Sequence, residues 1–478
     1  MADLHELDAH ALAAAYRRGD TTPTEVVDHL LERVGRLDAA VGAFVTVTAD
    51  DARRRAAEAT AAFAGDHDDL APLLGVPTAI KDLNLTAGVR TTFGSAVMRD
   101  HVPRFSDAVV TNLEAAGLIS LGKTNTPEFG SPCYTEPDVA PPARTPYDLT
   151  RSAGGSSGGA GAAVAAGLVP LAHGSDGGGS IRIPASVCGL VGLKPSRGRI
   201  SRAPVYGDVT GLSTSGSLAR TVRDAAVLLD VMAARVPGEA LRAAPTPDGA
   251  SWRAWCDRDP GRLRIARFVA PVIADVEVDA QVVAAWEEAS RLLEGLGHEL
   301  VDVDPPLAPT TVPAFETVWA VSATMSPVPP EAETQLRPLS RWLRERGRAA
   351  SATDLAQALL AMGQAGARAV AAMDPFDAVL TPTLGQLPAP VGGIRDDADP
   401  EADFAAQKAF TPYTAAWNVT GMPAVSLPTA WSTEGLPIGT MLAGRPGEEH
   451  VLCALAAQVE DACSTTPGDW SRPAMSLP

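Results

Sequence analysis

Two serine-bearing glycine runs constrain this chain more than any other feature. They are Gly154-Gly155-Ser156-Ser157-Gly158-Gly159 and Asp176-Gly177-Gly178-Gly179-Ser180-Ile181-Arg182. Glycine lacks Cβ, so such a run can turn tightly and present several backbone N–H groups at one place. The first run lies in residues 152–172, which carry no charge. That length could span a bilayer. Its richness in Gly and Ser, between loop signals, instead reads as a buried core segment. A third stretch, Gly75-Val76-Pro77-Thr78-Ala79-Ile80-Lys81-Asp82, ends an apolar run on a lysine. Together the three supply a hydroxyl nucleophile, a second hydroxyl, an amine base and free N–H donors. That set suffices for nucleophilic acyl chemistry without histidine.

Composition limits the alternatives. With 46% hydrophobic residues, the 478-residue chain can bury a large core. Its formal charge of −18 disfavours a nucleic-acid partner. The five cysteines, Cys133, Cys188, Cys256, Cys453 and Cys463, form no CxxC or Cys/His cluster, so neither a metal site nor a disulfide framework is expected. The N-terminus has no apolar signal core, and Arg17-Arg18 is followed by Gly19-Asp20 rather than an apolar run, so a cytoplasmic protein is expected, with no membrane partner. The glycine runs also lack the endings of phosphate- and dinucleotide-binding loops, since no Gly-Lys-Ser/Thr follows.

Periodicity predicts alternating elements. Thr22-Pro23-Thr24-Glu25 offers an N-cap, a first-turn proline and a capping-box glutamate ahead of Val26, Leu30 and Val34. Ser106 is expected to cap a helix carrying Val110 and Leu113, ended by Gly117 and followed by a buried strand at Leu118–Leu121. A second unit follows the same plan. It has a strand at Leu263–Phe268, a helix capped by Asp279 and ended by Gly297, and a strand at Glu299–Val303. Such alternation argues for an α/β sheet with parallel pairs. We divide the chain into an N-terminal helical region (1–65), a core bearing the glycine runs (66–235), a variable excursion lining a pocket (236–345), and a C-terminal return to the core (346–478).

The wording of these segments resembles the amidase signature family. The resemblance extends to Leu121–Gly130, Gly192–Arg199, Gly216–Ala226, Asn418–Ser426 and Gly435–Gly439. It implies a single α/β/α domain around a large mixed sheet, a small-molecule amide substrate, and neither metal nor organic cofactor. The wording around Thr150–Ser156 and His173–Ser180 is most similar to family members acting on small linear or cyclic amides. A biosynthetic acyl transferase and a tRNA-dependent amidotransferase subunit use the same residues and stay open. The resemblance leaves a homodimer open as well.

Carried onto this chain, the resemblance makes Ser180 the nucleophile and Ser156 the proton relay, on a cis Gly155–Ser156 peptide. Lys81 becomes the base. The N–H groups of Gly177, Gly178, Gly179 and Ser180 are assigned to the oxyanion hole. Ser157 is the rival relay, and in the family reading it supports the loop. Asp176 and Arg182 are expected to hold the nucleophile loop by hydrogen bonds and a charge pair. A lysine at a strand end is also open to pairing with Asp82. A free lysine titrates near about 10.4, and burial is what would lower it. His173 is tempting as a base, although the family mechanism needs none. Pocket walls are expected from Gly130, Ser131 and Tyr134, from Tyr206 through Thr214, from Phe315 and Trp319 through Met325, and from Trp417. Phe315, Trp319 and Met325 could equally be helix core.

Overall fold

The computed structural model describes residues 3–65, 70–205, 208–239, 241–464 and 468–477. The capping box at Thr22 forms. The Thr22 hydroxyl accepts from the Glu25 N–H at 3.2 Å, and Glu25 accepts from the Thr22 N–H at 2.8 Å. The helix Pro23–Val41 follows and buries Val26, Val27, Leu30, Leu31 and Val34 in the main core. Ser106 is not a cap. The next helix spans Ala108–Ala115 with Asp107 in the capping position, and the Ser106 hydroxyl accepts instead from Ala87 N–H. The loop before the helix claims that hydroxyl first.

Eleven strands run through the described residues: β1 (Phe44–Val47), β2 (Pro77–Lys81), β3 (Ile119–Thr124), β4 (Leu171–Asp176), β5 (Val191–Lys194), β6 (Thr214–Ala219), β7 (Arg264–Arg267), β8 (Glu299–Asp302), β9 (Ala378–Pro382), β10 (Ala424–Trp431) and β11 (Pro437–Gly444). A small sheet has the order β1-β3-β2, and a large mixed sheet has the order β4-β6-β5-β10-β11-β9-β7-β8. The β9-β7-β8 end is parallel, whereas the pairs from β4 to β9 are antiparallel. The second predicted unit therefore joins the large sheet. β7 and β8 flank the helix Ala280–Gly295, whose N-cap Asp279 accepts from Gln281 N–H.

Side-chain alternation along β11 shows the layers. Gly439 faces Ser186 and Met441 meets Arg182, both on the helix Arg182–Val187. Gly444, of opposite parity, faces Leu452 on the helix Glu449–Cys463. The sheet is thus covered on both faces, giving the single α/β/α domain. The uncharged segment is core. Residues 153–172 are buried and carry the helix Gly158–Ala165 into β4. Among the described residues, no helix is long and apolar enough to cross a membrane.

The two sheets meet where the site lies. Thr78 on β2 donates its hydroxyl hydrogen to the Leu171 carbonyl on β4, and the Lys81 N–H reaches His173 Nδ1 at 3.4 Å. This contact delivers the end of β2 to the end of β4, beside the glycine loop.

Candidate active site

Lys81 ends β2 completely buried. Its Nζ lies 2.8 Å from Ser156 Oγ and donates to the Ser175 carbonyl at 3.1 Å. Burial lowers its pKa to about 7, with the carboxylate of Asp176 opposing. Asp82 is not its partner. That carboxylate accepts from the Thr92 N–H and hydroxyl and stands 3.7 Å from Lys123 Nζ. His173 is equally buried, and burial and then the neighbouring Lys81 and Lys123 push its pKa down to about 3. Its ring is held between the Lys81 N–H and the Ser215 hydroxyl, 3.1 Å from Nε2.

The Gly155–Ser156 peptide is cis. Ser156 then faces Lys81, while Ser157 turns into the loop. The Ser157 hydroxyl donates to the Ser175 carbonyl at 3.2 Å, and its N–H donates to the Ser180 carbonyl at 3.1 Å. The Ser156 and Ser180 hydroxyls are not hydrogen-bonded to each other, but both open onto one cavity of about 240 Å³. Catalytic hydrogen bonds are often long before substrate arrives.

The glycine loop is fastened from behind. Burial alone would raise the Asp176 pKa, but the Arg182 guanidinium and further hydrogen bonds hold it well below the usual carboxylate range. Arg182 donates to both Asp176 oxygens, at 2.8 and 2.9 Å. The same carboxylate accepts the Gly179 N–H at 2.8 Å, the Ile181 N–H at 3.2 Å and Asn418 Nδ2 at 2.9 Å. The Gly179 N–H is therefore spent on Asp176, which differs from the four-donor expectation. The N–H groups of Gly177, Gly178 and Ser180 carry no hydrogen bond among the described residues. Gly179 has a φ of 131°, and a Cβ there would lie 2.4 Å from Thr414 Oγ1. The Thr414 hydroxyl in turn donates to the Gly178 carbonyl at 2.6 Å.

The predicted walls divide. Gly130 and Ser131 line the cavity, as do Trp319, Met325 and, from the 206–214 stretch, Asp208, Val209, Thr210, Leu212 and Ser213. Phe315 lines a narrower slot that also opens at Ser180, its ring stacked on Trp319 with centroids 5.4 Å apart. Tyr134 lines neither chamber. It is buried, and its hydroxyl donates to Asp403 at 2.6 Å. Trp417 is also no wall. It is fully buried in the apolar cluster around Tyr413 and Met441. Tyr206 lies outside the described residues. The sequence reading did not single out Thr414 and Asn418, although the quoted segment Asn418–Ser426 begins on the latter. Nor did it single out Leu83, Phe129 and Arg344 as further walls. Only Phe129 carried a local signal, standing one residue before Gly130.

Comparison with known proteins agrees with this architecture. The family model described as Amidase matches residues 25–453. The 6-aminohexanoate-cyclic-dimer hydrolase of Paenarthrobacter ureafaciens is 33% identical, over 95% of this chain and 94% of its own. A glutamyl-tRNA(Gln) amidotransferase component from Desulforapulum autotrophicum is also 33% identical, over 98% and 99%. A solved 6-aminohexanoate cyclic dimer hydrolase complexed with substrate superposes with a TM-score of 0.90 at 31% identity, over 98% of this chain and 99% of that one. The chain belongs to the amidase signature family, and it is a hydrolase acting on amide bonds.

Proposed function

We propose that this chain hydrolyses a carboxylic amide of a small, neutral organic substrate through an acyl-enzyme on Ser180. The observation that carries this is the fully buried Lys81, its pKa near neutrality, 2.8 Å from a serine that shares a cavity with Ser180. Ser180 Oγ attacks the carbonyl carbon as its hydroxyl turns toward Ser156. Its proton passes to Ser156, whose own proton passes to neutral Lys81. The oxyanion sits against the free N–H groups of Gly177, Gly178 and Ser180. Lys81 returns the proton through Ser156 to the amide nitrogen, the C–N bond breaks, and the amine leaves. Water then attacks the ester by the same proton route, releasing the acid and restoring Ser180.

The lining supports a neutral substrate. Its two charged side chains, Asp208 and Arg344, are already engaged. Asp208 accepts from the N–H groups of Thr210, Gly211 and Ser213, and Arg344 is paired with Glu333. Among the described residues, this cavity offers no unpaired charge to glutamine's ammonium or carboxylate, which weighs against the amidotransferase reading. Transfer of the acyl group to an added amine is separated from hydrolysis by product analysis.

A fluorophosphonate should label Ser180, and Ser180→Ala should abolish both labelling and amide turnover while the fold persists. Mass-spectrometric labelling at Ser156 or Ser157 instead would overturn the assignment.

A further inference from the structure

Two chambers of different chemistry meet at Ser180. The main cavity has Ser156, Ser175, Ser213 and Ser326 on its walls. The hydroxyls of Ser175, Ser213 and Ser326 make no hydrogen bond among the described residues. The slot is narrower, about 60 Å³, and is lined by Gly178, Ile183, Ile273, Phe315, Trp319 and Phe404. Ser131 and Ser180 stand where the two chambers meet and border both, while the polar groups of Gln407, Thr411 and Lys408 are spent. Gln407 accepts from the Cys133 N–H at 3.2 Å and donates to Asp403 at 2.6 Å. The Thr411 hydroxyl donates to the Gln407 carbonyl at 2.8 Å, and Lys408 is paired with Glu316. Ser156 borders the main cavity and not the slot.

That asymmetry orients the substrate. The leaving nitrogen must come within hydrogen-bond reach of the group that protonates it, so it lies on the Ser156 side, in the main cavity. The carbonyl carbon, bonded to Ser180 Oγ, projects its other substituent away from that nitrogen. We propose that the slot is the acyl subsite, that it takes short, unbranched, uncharged acyl groups, and that Phe404 sets the length admitted. The neutral, hydrogen-bonding amine portion then occupies the hydroxyl-lined cavity. This rests on the amidase reading above and adds which arm of the substrate goes where.

Phe404 suits the role. It is half-buried on the helix Pro400–Phe410, its ring centroid 5.7 Å from that of Trp342, with Lys408 Nζ 5.5 Å from its centre. Truncating it widens the slot without emptying the core.

The test uses the full chain and two substrate series. One series is p-nitroanilides with acyl chains of increasing length. The other holds the acyl group at acetyl and varies the amine. Phe404→Ala should raise kcat/KM for long acyl chains relative to acetyl by roughly tenfold or more, the usual worth of a methylene or more in an apolar pocket. Preference among amines should stay that of the wild type. Phe404→Trp should shift the acyl optimum toward shorter chains, and it carries the test should the alanine variant misfold. An unchanged acyl profile in both variants, or a shift in amine preference instead, overturns the subsite alone. A succinyl anilide turned over as well as the butyryl one also overturns it, since Lys408 would then recognise the chain. No turnover of either series by the wild type, with no phosphonate label on Ser180, overturns the subsite and the amidase reading together.

Discussion

The proposed base, Lys81, can accept a proton only while it is neutral, so the pH profile would report its burial. With its pKa lowered to about 7 by desolvation, the ammonium dominates below that value and has no lone pair to accept a proton. The acylation rate should therefore fall about tenfold per pH unit on the acid side. His173, held at about 3, cannot supply that limb. Single-turnover acylation measured from pH 5 to 9 should keep its acid limb in His173→Ala. Both Lys81→Ala and Lys81→Arg should lose roughly 10²–10⁴-fold, because arginine stays charged. A folded Lys81→Arg variant with near-normal acylation would refute the lysine base. Gly179 is the other single-residue test. An alanine there meets Thr414 at 2.4 Å with a φ of 131°, whereas at Gly178 the nearest atoms lie 3.9 Å away. Gly179→Ala should cost about 10²-fold in turnover by displacing the loop, and Gly178→Ala, measured alongside, should cost less. That Lys81 and Ser156 would meet was legible because each stands in a short contiguous segment, whereas Gly179, read as an oxyanion donor, gives its N–H to Asp176. Tyr134 and Trp417 were misplaced for the converse reason. An aromatic side chain marks burial, and the sequence does not say whether the buried face adjoins a cavity or the core.

The loop is held at the scale of elements. Arg182, at the start of its helix, binds Asp176 at the end of β4, the Thr414 carbonyl and Asn418 Oδ1. One buried guanidinium thus joins the glycine loop to a segment more than 230 residues further along. Removing one partner of a buried ion pair leaves the other uncompensated, at about 3–5 kcal/mol. Arg182→Ala should lower stability by that order in urea unfolding. Arg182→Lys should recover only part, since an ammonium cannot copy the planar fork. Wild-type stability in Arg182→Ala would show that Asp176 has another counter-charge. Asp176 and Arg182 were legible as flanks of the glycine run, but Thr414 and Asn418 were not. Their role comes from tertiary contact, which local spacing does not encode. The elements followed the same division. The strands expected at 118–121, 263–268 and 299–303 form at 119–124, 264–267 and 299–302, so these and the capping box at Thr22 could be read locally, while Ser106 failed as a cap because Ala87 takes its hydroxyl.

At the scale of the molecule, the order of the large sheet explains why it was only partly legible. Strand, helix and strand in succession announced the parallel pair β7-β8, whose members lie close in the sequence, but not β9, which reaches β7 by pairing Ala378 with Ile265. The antiparallel remainder depends on pairings such as β5 with β10, some 230 residues apart. The same topology predicts how the chain unfolds. β7 and β8 come from residues 236–345, yet β7 pairs with both β8 and β9. One apolar cluster runs from Leu12 through Ile265 to Trp470. Residues 236–345 should therefore melt with the rest rather than as a separate unit. Ile265 is fully buried on β7, so Ile265→Asp places an unpaired carboxyl group in the core, at a cost of several kcal/mol. Thermal unfolding should be followed by tryptophan fluorescence and, in parallel, by phosphonate labelling of Ser180. Both signals should be lost together, and at the same lowered temperature in Ile265→Asp. Labelling that survives a first fluorescence transition would make 236–345 an independent unit and refute the shared core.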